Sequence, residues 1–257
     1  MAGAQVAVVT GASAGIGEAT ARELARRGWR CVLLARRAER LERIAGEIGG
    51  EWEVCDVADR TQVDEVAARV LARHPALGLL VNNAGIPARG SFLDIDAERI
   101  ERVTAVNYLG SVWCLRAFAP GLRRGAPSHV VNLVSVAGTV AFAPAGAYSA
   151  SKHAQLAFSR STAALLRGSG IRVHTVLPGF VETEGFPQRA KLRSRFLRRY
   201  VIEADDVARA IVEAVEKDRI EVTVPWFPYR IASIGQALFP GLFSRLVAAQ
   251  AGRHRDE

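Results

Sequence analysis

The chain has 257 residues, of which 49% are hydrophobic and 23% are charged. These fractions lie near the averages for soluble globular proteins and argue against a disordered chain, a collagen-like repeat or a membrane channel. A chain of this length can form one α/β domain around one large core. The net charge of +8 is compatible with acidic or phosphorylated ligands. Because no DNA- or RNA-binding motif accompanies it, we expect a generic basic surface and no nucleic-acid partner.

The N-terminal residues and the cysteines bear on location and redox chemistry. Met1 to Thr10 contain no basic segment followed by a long apolar run, so we expect no signal peptide and a cytoplasmic protein. The three cysteines, Cys31, Cys55 and Cys114, lack CxxC spacing and are odd in number. This pattern predicts buried, reduced thiols, and we expect no disulfide framework and no metal site.

Short β-rich runs alternate with helical segments from the N-terminus to about residue 224. Seven runs are typical of strands buried on both sides: Val6–Thr10, Cys31–Leu34, Trp52–Cys55, Leu79–Asn82, Val130–Val134, Val173–Leu177 and Ile220–Val224. Apolar residues recur at helical spacing in six segments: Ile16–Arg27, Arg37–Ile48, Gln62–Arg73, Ala97–Leu122, Tyr148–Arg167 and Asp205–Lys217. The alternation predicts a single α/β domain over residues 1–257, with a seven-stranded, doubly wound parallel sheet covered by helices on both faces.

Residues 226–251 form a hydrophobic tail of different character. Apolar residues recur in it at helical intervals: Ile231, Ile234, Leu238, Leu242 and Leu246. Pro240 must break or kink this helix, and the stretch between Arg230 and Arg245 is shorter than the ~20 apolar residues of a transmembrane helix. We therefore expect an amphipathic extension of the domain that packs over a substrate pocket or a partner subunit. A peripheral membrane contact is the alternative.

A glycine-rich turn follows the first strand directly. Thr10 to Gly17 reads TGASAGIG, and a helical segment comes next. A strand, a glycine turn and a helix N-terminus in this order place backbone N–H groups and the positive end of a helix dipole against a pyrophosphate. Taken alone, the same residues would also fit a tight turn without a ligand. Their position at the first strand–helix junction favours a dinucleotide site.

The end of the second strand bears on the choice of dinucleotide. Many NAD-binding proteins carry an acidic residue there, whereas this chain has Arg36 and Arg37. An arginine pairs with a 2′-phosphate through charge-assisted hydrogen bonds, so we predict NADP(H) in preference to NAD(H). The alternative is that both arginines merely open a solvated helix.

Tyr148 and Lys152 lie four residues apart in a helical segment and therefore project from the same face. A nearby ammonium stabilises phenolate, so we expect Lys152 to draw the pKa of Tyr148 down toward the working pH of a general acid–base. Ser135 follows the fifth strand and could hold a substrate oxygen by hydrogen bond. Each residue also has an ordinary structural explanation when it is considered singly.

These motifs, in this order, resemble the short-chain dehydrogenase/reductase family over residues 5 to 224. The resemblance rests on Thr10–Gly17, Asp56–Val57, Asn82–Gly85, Asn107, Ser135, Tyr148 with Lys152, and Pro178–Gly179 with Thr183. It implies a Rossmann fold and four catalytic residues: Asn107, Ser135, Tyr148 and Lys152. Lys152 would also grip the nicotinamide ribose, and Asn107 would hold a water that links Lys152 to solvent.

The turn, the second strand and the resemblance together imply a set of cofactor-binding residues. They are Gly11, Ala12, Ser13, Gly15, Ile16, Gly17, Arg36, Arg37, Asp56, Val57, Asn83, Ala84, Gly85, Tyr148, Lys152, Pro178, Gly179, Val181 and Thr183. Asp56 or an asparagine could instead cap the next helix, and the segment from Pro178 could be a plain loop.

We therefore expect an oxidoreductase that moves a hydride between NADP(H) and a carbonyl or secondary alcohol, with Tyr148 as general acid–base. Specificity would come from residues 184–200, which include Phe186, Phe196 and Tyr200, and from the tail. We expect a hydrophobic substrate whose acidic handle, if it has one, meets the loop arginines. The resemblance also implies a homodimer or homotetramer. A non-catalytic, cofactor-sensing protein and an isomerase or dehydratase remain alternatives.

Overall fold

The computed structural model describes residues 5–141, 145–189, 192, 195–243 and 245. The strands are β1 (Val6–Thr10), β2 (Arg30–Ala35), β3 (Glu51–Val54), β4 (Leu79–Asn82), β5 (Ser128–Leu133), β6 (Ile171–Pro178), β7 (Val181–Glu182), β8 (Ile202–Glu203) and β9 (Glu221–Val224). The α-helices are α1 (Gly15–Arg26), α2 (Ala38–Ile48), α3 (Arg60–Arg73), α4 (Ala97–Thr104), α5 (Gly110–Arg124), α6 (Gly146–Leu165), α7 (Arg195–Arg198), α8 (Ala204–Glu216) and α9 (Tyr229–Leu238).

Seven of the strands form one parallel sheet in the order β3-β2-β1-β4-β5-β6-β9. The predicted seven-stranded sheet is therefore confirmed. The chain winds outward from β1 in one direction through β2 and β3, and in the other direction from β4. In such sheets a crevice opens beyond the carboxyl ends of the strands at the point where the winding reverses. Here that point lies between β1 and β4.

Alternating residues of the strands build one hydrophobic core on each face of the sheet. On one face Ala7 and Val9 pack with α1, α2 and α8, and on the other face Val6 and Val8 pack with α3, α5 and the end of α6. The expectation that all seven strands are buried on both sides is wrong for the edges. Trp52 and Val54 of β3 are exposed, because an edge strand has a neighbour on one side only.

The predicted helix Ala97–Leu122 is interrupted. A turn of π-helix, Ala105–Leu109, separates α4 from α5 and contains the fully buried Asn107. Single π turns inside α-helices often lie at functional sites. Apolar spacing alone did not reveal the turn, because one additional residue in a helix changes the spacing only locally.

The first helix of the tail ends just before Pro240, where the sequence predicts a break. Helix α9 stops at Leu238, two residues before Pro240, as expected because proline disfavours helical geometry in the residue before it. Residues 244 and 246–251 of the predicted extension lie outside the described residues. The short parallel pair β7–β8 was not predicted and lies apart from the main sheet. Among the described helices, none has the length and apolarity required to cross a membrane.

Two histidines on the neighbouring strands β5 and β6 form a pair away from the carboxyl ends of the strands, where the crevice opens. Nδ1 of His129 lies 2.9 Å from Nε2 of His174, and Nδ1 of His174 donates to the carbonyl of Arg219. Burial, together with the neighbouring His174, lowers the pKa of His129 to about 4. Burial also lowers the pKa of His174, although the Arg219 carbonyl works in the opposite direction. Both rings are therefore neutral at pH 7.

This pair predicts acid sensitivity of the fold. The unfolded chain protonates His129 near pH 6.5 whereas the folded chain does so near pH 4, so stability is lost as pH falls between these values. We expect the free energy of unfolding of the wild type to drop between pH 7 and pH 5 by on the order of 1–2 kcal/mol more than that of His129→Gln. Urea denaturation at both pH values measures this difference. Equal drops in the two proteins would contradict it.

Candidate active site

A cavity of about 790 Å³ opens at the carboxyl ends of β1, β4, β5 and β6. Its volume is within the range of pockets that bind cofactors and small molecules. At one end it is lined by the glycine turn and by Arg36, Arg37 and Asp56. At the other end it is lined by Ser135, Tyr148 and Lys152. Parallel strands therefore bring together motifs that are more than a hundred residues apart in the sequence.

The glycine turn has no space for side chains. A Cβ at Gly17 would lie 2.3 Å from the carbonyl oxygen of Gly11, and a Cβ at Gly11 would lie 2.8 Å from Cα of Ala84. Gly11 and Gly15 also adopt the left-handed φ values of 65° and 57°, which favour glycine. No side chain caps the N-terminus of α1, whose preceding residue is Ala14. The backbone N–H groups of this helix end therefore border the cavity unobstructed.

Thr10 and Asn83 fix the turn against the loop that follows β4. The hydroxyl of Thr10 accepts hydrogen bonds from the N–H groups of Asn83 (3.0 Å) and Ala84 (3.1 Å). Nδ2 of Asn83 donates to the carbonyl of Thr10 at 2.7 Å. Asn83 thus lines the cavity and also holds the turn in place, while Asp59, not Asp56, caps the following helix α3.

The two arginines after β2 have different surroundings. Arg37 donates to Oγ of Ser13 at 3.1 Å and lies 3.7 Å from the carboxylate of Glu184. Arg36 has no hydrogen bond or ion pair among the described residues, and it lines the cavity with an exposed side chain. Arg36 is therefore the cation of this pair that is available to a ligand.

Asp56 is anchored at the same end of the cavity. Its carboxylate accepts hydrogen bonds from Arg102 and from the N–H of Ala58. Burial works to raise the pKa of Asp56, but the Arg102 hydrogen bond, the Ala58 N–H and the charges of Arg102 and Arg36 outweigh it. The net pKa is below its usual value, so Asp56 is an anion at neutral pH.

Tyr148 and Ser135 meet at the other end. The phenol faces the cavity, and a side-chain hydrogen bond joins it to Ser135. Burial nevertheless raises the pKa of Tyr148 to about 12, and the Ser135 hydrogen bond only partly opposes the shift. Oγ of Ser135 also accepts the N–H of Ala137 at 3.1 Å, which fixes its position at the end of β5.

Lys152 is buried, and its ammonium is held by two protein acceptors. Nζ donates to the carbonyl of Leu133 at 2.9 Å and to Oε1 of Gln155 at 2.7 Å, and it lies 6.0 Å from the ring centroid of Tyr148. Nε2 of Gln155 in turn donates to Oγ of Ser111 at 2.8 Å. Burial lowers the pKa of Lys152 to about 7. The ammonium is therefore close to its titration point in neutral solution.

Asn107 is buried behind the cavity. Its Oδ1 accepts the N–H of Ile86 at 2.8 Å, and its Nδ2 donates to the carbonyl of Ile86 and to Oγ of Ser151. The Ser151 hydroxyl donates to the carbonyl of Tyr148. Asn107 thereby connects the π turn to the helix that carries Tyr148 and Lys152.

Comparison with known proteins agrees with this geometry. A family model described as short chain dehydrogenase matches residues 5–193. The mouse "Dehydrogenase/reductase SDR family member 7B" is 30% identical over 268 residues, which cover 97% of this chain and 82% of that protein. The chain therefore belongs to the short-chain dehydrogenase family. It is an oxidoreductase of that family.

Two solved structures have the same fold as this short-chain dehydrogenase. A Burkholderia phymatum short-chain dehydrogenase/reductase in complex with NAD superposes with a TM-score of 0.80 at 28% identity, covering 91% of this chain and 95% of that one. A metagenomic short-chain oxidoreductase in complex with NADP gives a TM-score of 0.72 at 36% identity, covering 85% of this chain and 96% of that one. The first of these structures contains NAD and the second contains NADP.

Most of the residues that the sequence singled out in this dehydrogenase line one cavity. Those at the cavity surface are Gly11, Ser13, Gly15, Ile16, Arg36, Arg37, Asp56, Val57, Asn83, Ala84, Gly85, Ser135, Tyr148, Lys152, Pro178, Gly179, Val181 and Thr183. Ala12, Gly17 and Asn107 are buried behind that surface. Ala12 and Gly17 shape the turn, since the N–H of Ala12 bonds to the carbonyl of Leu34 and Gly17 packs on Gly11.

One expectation from the sequence is wrong, and two residues near Lys152 were not predicted. The expectation that Lys152 lowers the pKa of Tyr148 is wrong for this structure, because burial dominates both groups and the ammonium is directed at Leu133 and Gln155. Gln155 and Ser111 were not singled out at all. Gln155 lies three residues after Lys152, a helical spacing that could have indicated it, whereas only the packing of α5 on α6 reveals Ser111.

Gln155 predicts a pH effect with a defined sign. An acceptor on the ammonium favours the charged form of Lys152, so Gln155→Leu should lower its pKa and Gln155→Glu should raise it. We expect the high-pH limb of the turnover profile to move down by about one pH unit in Gln155→Leu and up in Gln155→Glu. Turnover measured from pH 5 to pH 10 checks both. Shifts in the same direction would show that Gln155 contributes packing alone.

Proposed function

We propose that this short-chain dehydrogenase transfers a hydride between NADP(H) and the carbonyl or secondary alcohol carbon of a small hydrophobic substrate, with Tyr148 as general acid–base. One observation carries the proposal. A single cavity joins a glycine turn at the N-terminus of α1 to the hydroxyl groups of Ser135 and Tyr148 and the ammonium of Lys152.

The residues present fit a nicotinamide dinucleotide. Gly11 and Gly17 leave the backbone of the turn bare at the helix N-terminus, where a pyrophosphate binds in this class of fold. Arg36 and Asp56 would flank the ribose and adenine of the cofactor, Thr183 lies against Gly15 of the turn, and Gly179 and Val181 also line the cavity. The NAD and NADP complexes of the two structural relatives support the same class of cofactor.

The side chains of this chain supply the proton chemistry. A bound nicotinamide ring would supply or accept the hydride and, when oxidised, would place a positive charge beside the phenol. Tyr148, with its pKa raised to about 12 by burial, is protonated at neutral pH and is suited to donate a proton to the reduced oxygen. Ser135 would hold that oxygen by hydrogen bond, and Lys152 would hold the ribose.

Tyr148→Phe tests this chemistry. Removing the hydroxyl removes the proton donor while leaving the ring in its contact with Phe186, whose centroid lies 5.9 Å away. We expect kcat to fall by about 10²–10⁴-fold, the usual contribution of general acid–base catalysis. The measurement is NADPH oxidation with a panel of ketones, with circular dichroism as a check on folding.

Tyr108→Phe is the matched control for this experiment. Tyr108 lies in the π turn next to Asn107, packs edge-on against Phe158 and does not line the cavity. It should keep wild-type turnover. Unchanged turnover in Tyr148→Phe would overturn the proposed role. NADPH binding without turnover of any ketone in the wild type would instead favour a cofactor-sensing protein.

The preference for NADP(H) rests on Arg36. Because Arg37 is already bonded to Ser13 and faces Glu184, Arg36 is the side chain that would pair with a 2′-phosphate. Arg36→Ala should therefore weaken NADPH binding by about 10–100-fold and leave NADH binding nearly unchanged. Fluorescence titration with both cofactors measures the two affinities.

Arg43→Ala provides the control for the cofactor titration. Arg43 lies on α2, pairs with Glu47 and does not line the cavity. It carries the same charge and should leave both affinities unchanged. An equal loss of NADPH and NADH affinity in Arg36→Ala would mean that Arg36 does not read the 2′-phosphate.

The walls near Tyr148 support a hydrophobic substrate. Phe186, Leu192, Pro87, Ala88 and Val136 line this part of the cavity. The segment that carries Phe186 is held in place because Oε2 of Glu182 accepts the N–H groups of Gln188 and Arg189. The side chain of Phe196 lies outside the described residues. Tyr200 does not line the cavity and packs on Phe227 instead.

A further inference from the structure

Helix α9 presents a polar face to the protein. Tyr229 is buried, Oγ of Ser233 lies 2.7 Å from Oγ1 of Thr139, and Oε1 of Gln236 accepts the N–H of Ala141 at 3.2 Å. Residues 229, 233 and 236 follow helical spacing and lie on one side of α9. This side of α9 therefore contacts the rest of the chain through the ring of Tyr229 and through the polar side chains of Ser233 and Gln236.

The opposite side of α9 is apolar and faces outward. Ile231 is 50% exposed, Ile234 45% and Leu238 66%. Trp226 and Phe227, just before the helix, are 58% and 45% exposed. A surface helix of a globular protein normally buries its apolar stripe. We call the surface formed by Trp226, Phe227, Ile231, Ile234 and Leu238 the α9 face. Several large apolar side chains exposed on and beside one helix are typical of an interaction site.

Basic residues without acidic neighbours accompany the α9 face in the sequence. Between Glu221 and Asp256 there are four arginines and no acidic residue. Between Glu184 and Glu203 there are six basic residues and again no acidic residue. Both stretches predict a locally positive surface, although one arginine of each is neutralised by a glutamate at its border: Arg189 pairs with Glu203 and Arg230 with Glu221.

The fold brings the two acid-free stretches together. The rings of Tyr200 and Phe227 are 5.4 Å apart, and the hydroxyl of Tyr229 donates to the carbonyl of Tyr200. Arg199 and Arg245 are exposed, and within the described part of the chain neither has a carboxylate partner. Unpaired positive charge therefore lies on both stretches that border the α9 face.

We propose that the α9 face docks this protein on the surface of an anionic lipid bilayer. Apolar and aromatic side chains enter the boundary between headgroups and acyl chains, while arginines at the rim pair with lipid phosphates. A second copy of the chain is a poorer partner. A two-fold contact sets the same patch against itself and would bring these arginines against each other.

Docking would also place the cavity near the lipid. The ring of Tyr229 lies so close to Gly179 that a Cβ there would be 2.1 Å away, and its hydroxyl accepts the N–H of Phe180. Gly179 and Phe180 both line the cavity. A hydrophobic substrate could then enter from the membrane. This consequence rests on the proposed function, whereas the docking itself does not.

Sedimentation with vesicles tests the proposal on the full chain. We expect the protein to sediment with vesicles of phosphatidylglycerol and phosphatidylcholine in equal parts, and less with phosphatidylcholine alone. Raising the salt concentration should weaken the binding, because added ions screen surface charge. Replacing Arg199 and Arg245 together by glutamine should remove most of the preference for the anionic vesicles.

The double variant Ile234→Glu with Leu238→Glu tests the apolar contribution. Its partition coefficient should fall by about tenfold or more, since two apolar side chains no longer enter the interface. Leu93→Glu is the matched control, because Leu93 is 95% exposed and lies outside the α9 face. It should bind vesicles like the wild type. Circular dichroism of each variant shows whether folding is retained without reference to activity, so failure of docking is distinguished from failure of the proposed reaction.

Three outcomes would overturn the proposal. The first is that the wild type sediments with neither kind of vesicle, and the second is that the double variant sediments as the wild type does. The third outcome is that light scattering finds the wild type oligomeric and the double variant monomeric while neither binds vesicles. That result would show that the α9 face is a contact between copies of the chain.

Discussion

The hydrogen bonds between the glycine turn after β1 and the loop after β4 are the constraint on which the site depends. Thr10 accepts the N–H groups of Asn83 and Ala84, and Asn83 donates back to Thr10. These hydrogen bonds join the two loops at the point between β1 and β4 where the winding of the sheet reverses. With the turn fixed there, the N-terminus of α1 borders the cavity at one end, while β5 and α6 bring the hydroxyls of Ser135 and Tyr148 to the other.

Burial sets the electrostatics of the end of the cavity that holds Tyr148 and Lys152. The same desolvation lowers the pKa of Lys152 and raises that of Tyr148, so both groups are driven toward their neutral forms. The carbonyl of Leu133 and the side-chain amide of Gln155 accept hydrogen bonds from the ammonium and partly replace the water that it loses on burial. A positive charge held in this way strengthens any interaction with a ligand, because the surrounding dielectric is low. Among the described residues, Lys152 therefore has neutral hydrogen-bond acceptors and no carboxylate partner.

On helix α9, polar side chains face the protein and apolar side chains face outward. Helix α9 directs Ser233 and Gln236 inward and Ile234 and Leu238 outward, the reverse of the arrangement that burial normally favours. Tyr229 links this helix to the segment after β6 that lines the cavity. The tail therefore contributes both to the wall of the site and to the surface around it.

The sequence by itself determined the seven strands, their parallel arrangement, the glycine turn and the ordered motifs of the family, because each of these is a local pattern or a fixed spacing. Tertiary structure alone decided the π turn at Asn107 and the bonding of Gln155 to Lys152 and Ser111. It also decided that Arg37 bonds to Ser13 while Arg36 faces the cavity. It also decided the direction of the Tyr148 pKa shift and the side of α9 that faces solvent. Spacing fixes which side chains share a face. Only tertiary packing decides which residues that face contacts and how far its side chains are buried from solvent.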